Sequence, residues 1–379
     1  MEQQIAQARS ALSKTRNDLA SPVHRLPEEI LDEIFAYVIY SPQYSYTEFG
    51  VHLAEMEEHL LKIYRSLYAL LGVCSPWKKA ILNQGYFWST VPLIQQQSVE
   101  SDWGSKTTKA CPKYREAGNV SFKRAKDHRL DLAVVFRTGF CSDMNYGTLQ
   151  EYLPRIRTIN AVSNSIMGIW RIMDTIVPAA SALSSLSELS ICQKQDQHFY
   201  YSIPSEHDHM YLGYSTGVVA LNEFLESLPV LRISGAHMCW DMLVFSNRLA
   251  KLRLQDINFG TDHTMMANLC HALASATGLR ELEIVSIISF HESQEPFASS
   301  LGMISLPNLE SLLMDNLFLN TLECILNCII TRSHRLTLHL TPNFLYFNLT
   351  GEQVLEQATQ ASPTGSRRTQ SNNRIGANT

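Results

Sequence analysis

The chain has 379 residues, of which 45% are hydrophobic and 18% are charged, and its formal net charge is −5 at pH 7. This length allows two domains or one elongated domain, and the apolar share is large enough to build a core. The slight acidity excludes a general binder of nucleic acid or membrane surfaces. No run of 18 apolar residues occurs, so the sequence predicts no membrane span and no membrane partner.

Eight cysteines lie mostly within apolar runs, as at Cys270 and Cys324. This placement is typical of reduced, buried thiols. Residues 1–5 contain no basic stretch followed by an apolar core, so the sequence predicts no secretory signal. Both features predict an intracellular protein, either cytoplasmic or nuclear.

The N-terminal segment, residues 1–22, predicts a helix. It lacks glycine and proline over residues 2–20, and Ile5, Leu12 and Leu19 recur every seven residues. The pattern suits either the end of a coiled coil or a single helix packed on a neighbouring element. We favour the single helix, because a coiled coil normally needs three or four heptads.

The segment 23–94 predicts a compact unit of three helices. Pro27 and the two glutamates after it suit the start of the first helix, whose apolar stripe extends to Val38 before a Ser-Pro pair ends it. A second helix is predicted over about 52–72 from its apolar side. A third begins near Ser75, which can cap it.

Three helices of this size cannot conceal all of the large apolar side chains in the unit. An exposed apolar patch of this kind marks a protein interface, and aromatic residues are its usual energetic anchors. Each tryptophan taken alone could equally belong to the core. The side chains in surplus are Leu26, Pro27, Ile30, Leu31, Ile34, Phe35, Trp77 and Trp88.

Residues 95–128 are rich in lysine and arginine and contain few apolar residues. They predict a polar connector with a flexible loop. Tyr114 and Phe122 lie among the basic residues, a pattern that some binders of single-stranded nucleic acid use. We prefer a solvated linker, because charged runs most often face water, and we predict no nucleic-acid partner.

A leucine pattern recurs between residues 129 and 355. The motif Leu-x-x-Leu-x-Leu, with Ile or Met allowed at its last position, begins at Leu249, Leu279 and Leu309, so both intervals are 30 residues. Less regularly spaced, degenerate or shifted copies begin at Leu153, Leu186, Leu228 and Ser333.

The last two apolar residues of each copy point to one side of a strand, because side chains alternate between faces. Helical stretches lie between copies, for instance over 261–276 and 318–330. A repeated β–α unit of about 30 residues is typical of a leucine-rich solenoid. The asparagine or cysteine usual in such repeats has a candidate in Asn258, with Ile287 and Leu317 at the places taken as equivalent. The alternative is an ordinary α/β domain.

Three segments fall outside these patterns. Residues 356–379 are polar and almost lack large apolar side chains, so they predict a disordered tail. The loops 193–217 and 290–305 are candidate recognition elements, because insertions between repeats lie on one face of a solenoid.

The chain carries no motif that predicts catalysis. His207-Asp208-His209 could indicate a metal, but no further ligand has suitable spacing, so we interpret it as a surface loop. Cys324 and Cys328 lie in an apolar helical stripe without a second pair, and we interpret them as core thiols. The phosphate-binding loop, the nucleophile elbow and the zinc-protease motif are missing from the sequence. The sequence therefore predicts no enzyme, no cofactor and no metal.

Residues 26–35 read LPEEILDEIF. This stretch is similar to the start of an F-box, and two later segments of the unit at 23–94 follow in the order found in that family, particularly in its fungal members. Residues 73–77 read VCSPW and resemble its Val-Cys-x-x-Trp segment, and residues 87–89 read FWS and resemble its closing Leu-Trp-Ser stretch. The stretch 40–66 is longer than the family's usual gap, which affects the helix boundaries.

The resemblance implies a non-catalytic substrate receptor of an SCF-type ubiquitin ligase. In that family the F-box docks on the Skp1 adaptor of the cullin ligase core, and the C-terminal domain binds the protein to be ubiquitinated. Its motif positions imply an adaptor contact, or the core directly beneath it, for Leu26, Pro27, Ile30, Leu31, Ile34, Val73, Trp77 and Trp88.

The predicted architecture is an α/β chain with an N-terminal trihelical F-box followed by an irregular leucine-rich-repeat solenoid of β–α units. The target protein stays unspecified. The alternative function is a leucine-rich scaffold or interaction protein that takes no part in a ligase and whose F-box-like helices pack internally.

Overall fold

The computed structural model describes most of the chain, in separate stretches. The described residues are 1–20, 26–40, 53–95, 112–136, 147–194, 217–259, 263–287, 289, 304–317, 319–330 and 335–339. Within them the fold is α/β, as predicted, and nine strands form one parallel sheet. No helix in these stretches has both the length and the apolar character needed to cross a membrane.

Helices and strands alternate over most of the chain. The helices are α1 (Glu2–Ala20), α2 (Glu28–Ile39), α3 (Leu53–Leu71), α4 (Ser75–Asn83), α5 (Pro112–Arg124), α6 (Gly147–Gln150), α7 (Ile166–Ile176), α8 (Val218–Glu226), α9 (His263–Ser275) and α10 (Leu319–Cys328). The strands are β1 (Thr90–Gln95), β2 (Leu130–Phe136), β3 (Ile156–Ser163), β4 (Glu188–Gln193), β5 (Val230–Ser234), β6 (Lys251–Gln255), β7 (Glu281–Val285), β8 (Ile304–Ser305), β9 (Ser311–Asp315), β10 (Ile329–Ile330) and β11 (Arg335–His339).

The large sheet has the order β1-β2-β3-β4-β5-β6-β7-β9-β11, so its strands lie side by side in the order of the sequence. The short strands β8 and β10 pair only with each other within the described residues. Parallel neighbours need a crossover connection, and a helix lies in most of these connections. Residues 235–250, between β5 and β6, contain no helix.

The three helices predicted for residues 23–94 are α2, α3 and α4. The bounds of α3 agree with the predicted range of about 52–72. Pro27 precedes the first helical turn as its N-cap residue rather than opening the helix. Cys74, not Ser75, is the N-cap residue of α4. The helix therefore begins at Ser75, one residue earlier than a cap at Ser75 would give.

A dense aromatic and aliphatic core joins these three helices. Tyr40, directly after α2, donates its hydroxyl proton to the carbonyl oxygens of Tyr86 and Phe87, at 3.1 and 3.0 Å. The Tyr86 hydroxyl in turn donates to the carbonyl oxygen of Asp32 at 2.9 Å. The side chains in this core that are at most 1% exposed include Phe35, Met56, Leu60, Leu67, Ile81, Phe87 and Trp88.

The helical unit and the sheet share one hydrophobic core. Strand β1 follows the 3-10 turn Gly85–Trp88 and pairs in parallel with β2. The Tyr64 hydroxyl of α3 donates to the Thr90 carbonyl oxygen at 3.1 Å and lies 2.5 Å from the Ser121 hydroxyl. The predicted boundary between the helical unit and the connector, between residues 94 and 95, therefore falls within the last residues of the edge strand β1.

The segment predicted as a polar connector contains helix α5. Phe122 is buried and stacks on Tyr152, with ring centroids 4.3 Å apart. Ala125 is also buried. A few apolar residues on one side are enough to anchor this short helix against β1, while Glu116 and Lys123 are exposed. Residues 96–111 of the predicted connector lie outside the described residues.

The leucine pattern lies along the strands, in register from one strand to the next. Its inward positions form two ladders across β6, β7 and β9, and all of them are buried. The first ladder is Leu252, Leu282 and Leu312, and the second is Leu254, Ile284 and Met314. Residues 30 apart in the sequence therefore lie side by side on neighbouring strands, and each strand extends the core formed by the strand before it.

A recurring turn follows each of these strands. Asp256, Ser286 and Asn316 are 30 residues apart, and all three have positive φ, at 53°, 51° and 51°. Such values are uncommon for residues other than glycine. The backbone N–H of Asp256 donates to Val285 and that of Ser286 to Asp315, each to the carbonyl oxygen, at 3.0 and 2.9 Å.

This turn corrects one sequence assignment. Ile257, Ile287 and Leu317 each follow the positive-φ residue directly, and all three are buried. The prediction that Ile287 and Leu317 are equivalent to Asn258 is wrong by one residue, because they are equivalent to Ile257. The buried position after the turn takes an aliphatic side chain because it faces the core, and the asparagine lies next to it.

Helix α1 differs from its predicted packing. Its described side chains are all exposed, with Ile5 at 48% and Leu12 at 71%. The expected contact with a neighbouring element is therefore not found among the described residues. The predicted tail at 356–379, the histidines at 207 and 209, and most of the loops 193–217 and 290–305 lie outside the described residues.

Candidate partner-binding surfaces

One face of α2 is apolar and open to solvent. Ile30, Ile34 and Val38 are each four residues apart, and they are 42%, 42% and 45% exposed. Residues at this spacing lie on the same side of a helix. Tyr37 adds 67% exposure on the same helix. We call Ile30, Ile34, Tyr37 and Val38 the outer face of α2.

The opposite face of α2 is fully used by the core. Phe35 and Ile39 are buried. The outer face is therefore not required to hold the helix in place. Single apolar residues on a surface are ordinary, but several on one helix face form a patch that marks an interaction site.

The start of α4 extends this apolar surface. Trp77 is half-buried, and its ring lies 4.8 Å from that of Phe35, centroid to centroid. This contact places the first turn of α4 beside α2. Val73, in the turn before α4, is 57% exposed. Acidic side chains accompany the patch, because α2 also carries Glu28 and Glu29 in its first turn.

The structure separates the eight residues that the F-box resemblance singled out. Four are exposed, three are half-buried, and Trp88 is buried. The exposed residues are Pro27, Ile30, Ile34 and Val73, and the half-buried residues are Leu26, Leu31 and Trp77. Seven of the eight therefore retain accessible surface, whereas Trp88 lies in the core.

Trp88 is held in the core by specific contacts. Its indole N–H donates to the carbonyl oxygen of Ile81 at 3.1 Å. The guanidinium carbon of Arg124 lies 4.4 Å from the centre of its ring, within the range of a cation–π contact. Tyr68 meets the ring edge-on, with centroids 6.5 Å apart.

The open face of the large sheet carries charged side chains rather than apolar ones. Residues on β6 and β7 alternate between buried and partly exposed, as expected for strands with one buried face. Lys251 lies opposite Glu281 in the register, and Arg253 lies opposite Glu283. Opposite charges directly across from each other stabilise neighbouring strands.

The side chains on β6 and β7 form a connected ionic network. Lys251 Nζ lies 2.6 Å from a Glu281 carboxylate oxygen and 3.1 Å from one of Glu283. Arg253 Nη1 lies 2.7 Å from a Glu283 oxygen. A further ion pair joins Arg232 on β5 to a glutamate on β4. We call the group of Glu188, Arg232, Lys251, Arg253, Glu281 and Glu283 the charged sheet face.

The ionic partners of Glu283 lower the pKa of its carboxylate. Burial alone would raise the pKa of Glu283, but hydrogen bonds from Lys251 and Arg253, together with their positive charges, outweigh it and hold that pKa below its ordinary value. Glu283 is therefore ionised at neutral pH and binds both cations. The network joins β6 and β7, and the separate pair of Arg232 and Glu188 joins β4 and β5.

Three buried thiols come together on the other side of the sheet. The Sγ atoms of Cys270, Cys324 and Cys328 all lie within 4.8 Å of one another. Within the described residues, no other group of three or more histidine, cysteine or carboxylate side chains is close enough to share a metal ion. We call these residues the cysteine cluster. The six described cysteines are all free.

The sequence predicted the burial of these three thiols but not their proximity. Cys270 lies more than 50 residues before Cys324. Only the packing of successive β–α units brings α9 beside α10. The available signal was the placement of Cys270 and Cys324 within apolar helical stripes of neighbouring repeat units.

Comparisons with known proteins do not assign this chain to a family. A scan against models of protein families finds none that matches, and a search of curated proteins finds no significant match. The functional proposal therefore depends on the two surfaces and on the sequence resemblance.

Proposed function

We propose that this protein is a substrate receptor of an SCF-type ubiquitin ligase. Its helical unit at 23–94 would act as an F-box and bind a Skp1-type adaptor of the cullin ligase core. Its repeated β–α units at 129–355 would act as a leucine-rich-repeat-like solenoid and bind the target protein. The observation that carries the proposal is the open outer face of α2.

The outer face supports the proposal because its apolar residues coincide with the F-box-like motif. Ile30 and Ile34 lie within the stretch that reads LPEEILDEIF, and both are 42% exposed although they are large and aliphatic. Fully burying such a side chain from water contributes about 1.5–3 kcal/mol. A partner that covers this face gains the part of that free energy that belongs to the surface still exposed, and the helical unit keeps its own core unchanged.

Trp77 supports the proposal as a candidate anchor. It is half-buried on Phe35, so its ring is held in one orientation before any partner arrives. Side chains already ordered in the free protein lose less conformational entropy on binding. Tryptophan is also among the residue types that dominate interface energetics.

The charged sheet face is the proposed site for target capture. Its six charges lie on rigid, paired strands, so their positions are fixed. Fixed charges of both signs discriminate between partners through electrostatic complementarity more than they add raw affinity. The target is thus expected to present a complementary pattern of acidic and basic side chains.

The protein is proposed to act inside the cell, in the cytoplasm or nucleus, where SCF-type ligases function. The free cysteines at 192, 239 and 270 fit a reducing compartment. The proposed role is geometric: the receptor holds a target near the ligase core and performs no chemistry itself.

The direct test is binding of the full-length chain to a purified Skp1-type adaptor. Ile34→Asp places a charge in the centre of the outer face without removing a core side chain. We expect it to weaken adaptor binding by about 30-fold or more, the effect of losing a hot spot of about 2 kcal/mol. Val219→Asp is the matched control, because Val219 is also an exposed aliphatic residue on a helix, at 73%.

Trp77→Ala provides a second, independent variant at the same surface. Circular dichroism of all variants verifies that they are folded. Unchanged adaptor binding by both Ile34→Asp and Trp77→Ala, in folded protein, would refute the adaptor role. That outcome would favour a scaffold protein that acts outside a ligase.

A further inference from the structure

The cysteine cluster is built by two helices from neighbouring repeat units. Cys270 belongs to α9, and Cys324 and Cys328 belong to α10. The latter two are four residues apart, so they lie on the same face of their helix. Their exposures are 4%, 6% and 1%, which leaves the three sulfur atoms facing one another in a site closed to solvent.

Each member of the cluster is a free thiol. The deprotonated thiolate is the form of sulfur that binds metal ions, so a bound ion takes the place of the thiol protons.

We propose that Cys270, Cys324 and Cys328 form a three-coordinate, all-sulfur site for one soft ion of the copper(I) or arsenic(III) class. Metal–sulfur bonds of about 2.3 Å in a triangular arrangement place the sulfur atoms about 4 Å apart. The cluster already lies within 4.8 Å, so small side-chain rotations complete the site. Soft thiolate ligands select soft ions and disfavour magnesium and calcium.

Zinc fits this site less well. Structural zinc is almost always four-coordinate and tetrahedral. No fourth histidine, cysteine or carboxylate joins the three sulfurs among the residues that the structure describes. A solvent molecule as fourth ligand would need space in a site where no cysteine is more than 6% exposed. Copper(I) and arsenic(III) both accept three sulfur ligands alone.

The two candidate ions differ in their proton balance. Arsenous acid, As(OH)3, and three thiols give one neutral As–S3 complex and three water molecules, so no proton is released. Copper(I) displaces protons from the thiols and leaves a negative complex, so its affinity rises with pH. A neutral complex suits apolar surroundings, because a buried net charge is costly.

The experiment titrates the reduced, full-length chain separately with copper(I), arsenite and zinc, under anaerobic conditions. We expect one copper(I) or one arsenic(III) per chain by native mass spectrometry. X-ray absorption of the bound ion should give three sulfur neighbours at about 2.3 Å. The affinity for arsenic(III) should not change with pH, whereas the affinity for copper(I) should rise with pH. Comparison of the two affinities shows which ion the site prefers.

Matched variants locate the site. Cys270→Ser should weaken binding of the ion by more than about 100-fold, since losing even an outer partner of a ligand costs 10–100-fold. Cys192→Ser, at another buried free thiol, should leave the affinity unchanged.

Three outcomes would overturn the inference. The first is the absence of stoichiometric copper(I) or arsenic(III) on the wild-type chain. The second is an ion bound through fewer than three sulfur atoms, or a preference for zinc. The third is undiminished binding by folded Cys270→Ser. The wild-type measurements do not depend on the variant, so they decide the inference even if Cys270→Ser fails to fold.

Discussion

The ring of Trp77 packs against that of Phe35, with centroids 4.8 Å apart and planes inclined at 59°. Phe35 is completely buried, and Trp77 retains part of its surface. Through this contact the start of α4 braces the inner side of α2, while Ile34 on the next position points outward. Adjacent residues therefore have different roles, since Phe35 packs in the core and Ile34 lies at the surface. Mutation of each residue can measure the two roles separately.

The first prediction concerns this separation. Phe35→Ala should lower the free energy of unfolding by about 3–5 kcal/mol, because it leaves a cavity in the core. Ile34→Ala should change it by much less, since surface substitutions usually stay within about 0.5 kcal/mol and this residue is only partly covered. Urea denaturation followed by far-ultraviolet circular dichroism measures both. Equal losses for the two variants would contradict an exposed outer face.

Much of the fold could be predicted because its signals are local and periodic. The apolar side of α3 set its bounds to within a residue, and the repeated leucines placed Leu252 and Leu282 on neighbouring strands. Helix α5 was missed because only a few of its residues, such as Phe122, touch the core and its charges dominate the composition. Strand β1 was missed because it directly follows the turn that carries Trp88.

The candidate surfaces were predicted only in part. Motif position singled out Ile34 and Trp88 together, yet one is exposed and the other is buried. Sequence similarity does not show where a side chain points. Only the three-dimensional packing distinguishes a residue that can contact a partner from one that lies in the core. The same limit applies to Cys270, whose partners lie in another repeat unit. The 30-residue interval implies that Arg253 and Glu283 are paired across neighbouring strands. It does not show on which face of the sheet their side chains lie.

The second prediction concerns the polar contact of Trp88. Trp88→Ala should destabilise the protein by about 3–5 kcal/mol, as for other large-to-small core substitutions. Trp88→Phe should cost less, because it keeps most of the apolar volume and loses the hydrogen bond to Ile81. That bond contributes about 0.5–1.5 kcal/mol. Chemical denaturation of both variants, with Trp77→Phe as the partly exposed control, gives the comparison. A Trp88→Ala loss no larger than that of Trp77→Phe would contradict the core assignment.

The third prediction concerns pH. The folded pKa of Glu283 lies below its unfolded value, which is about 4.3 for a free glutamate. Its ionised form therefore stabilises the fold above that pH, and this contribution is lost as the pH falls through the folded pKa. Glu283→Gln should be less stable than the wild type at pH 7, and the difference should shrink below about pH 4.3.

The matched control for this pH effect is Glu310→Gln. Glu310 lies 3.8 Å from Arg280, and both side chains are about two-thirds exposed. Exposed ion pairs contribute little, so this variant should follow the wild type at every pH. Unfolding free energies from urea titrations between pH 3.5 and pH 7 provide the data. A Glu283→Gln difference that stays constant over this range would show that the ionic network does not lower that pKa.

The fourth prediction concerns two glycines with positive φ. Gly235 has φ of 67°, and a Cβ there would lie 2.0 Å from the carbonyl oxygen of Gln193. Gly217 has φ of 80°, but no described atom lies within 4 Å of its Cβ position. Gly217→Ala should therefore cost only the backbone strain of about 1–2 kcal/mol. Gly235→Ala adds an overlap with fixed backbone, typically about 1–3 kcal/mol more.

The larger cost at Gly235 follows from the sheet itself. Gly235 directly follows β5, and Gln193 is the last residue of the neighbouring strand β4, so neither backbone can move without breaking register. Thermal melts and urea denaturation of the two alanine variants measure the difference. If Gly235→Ala were no less stable than Gly217→Ala, β4 and β5 would not approach as closely at their ends as their pairing requires.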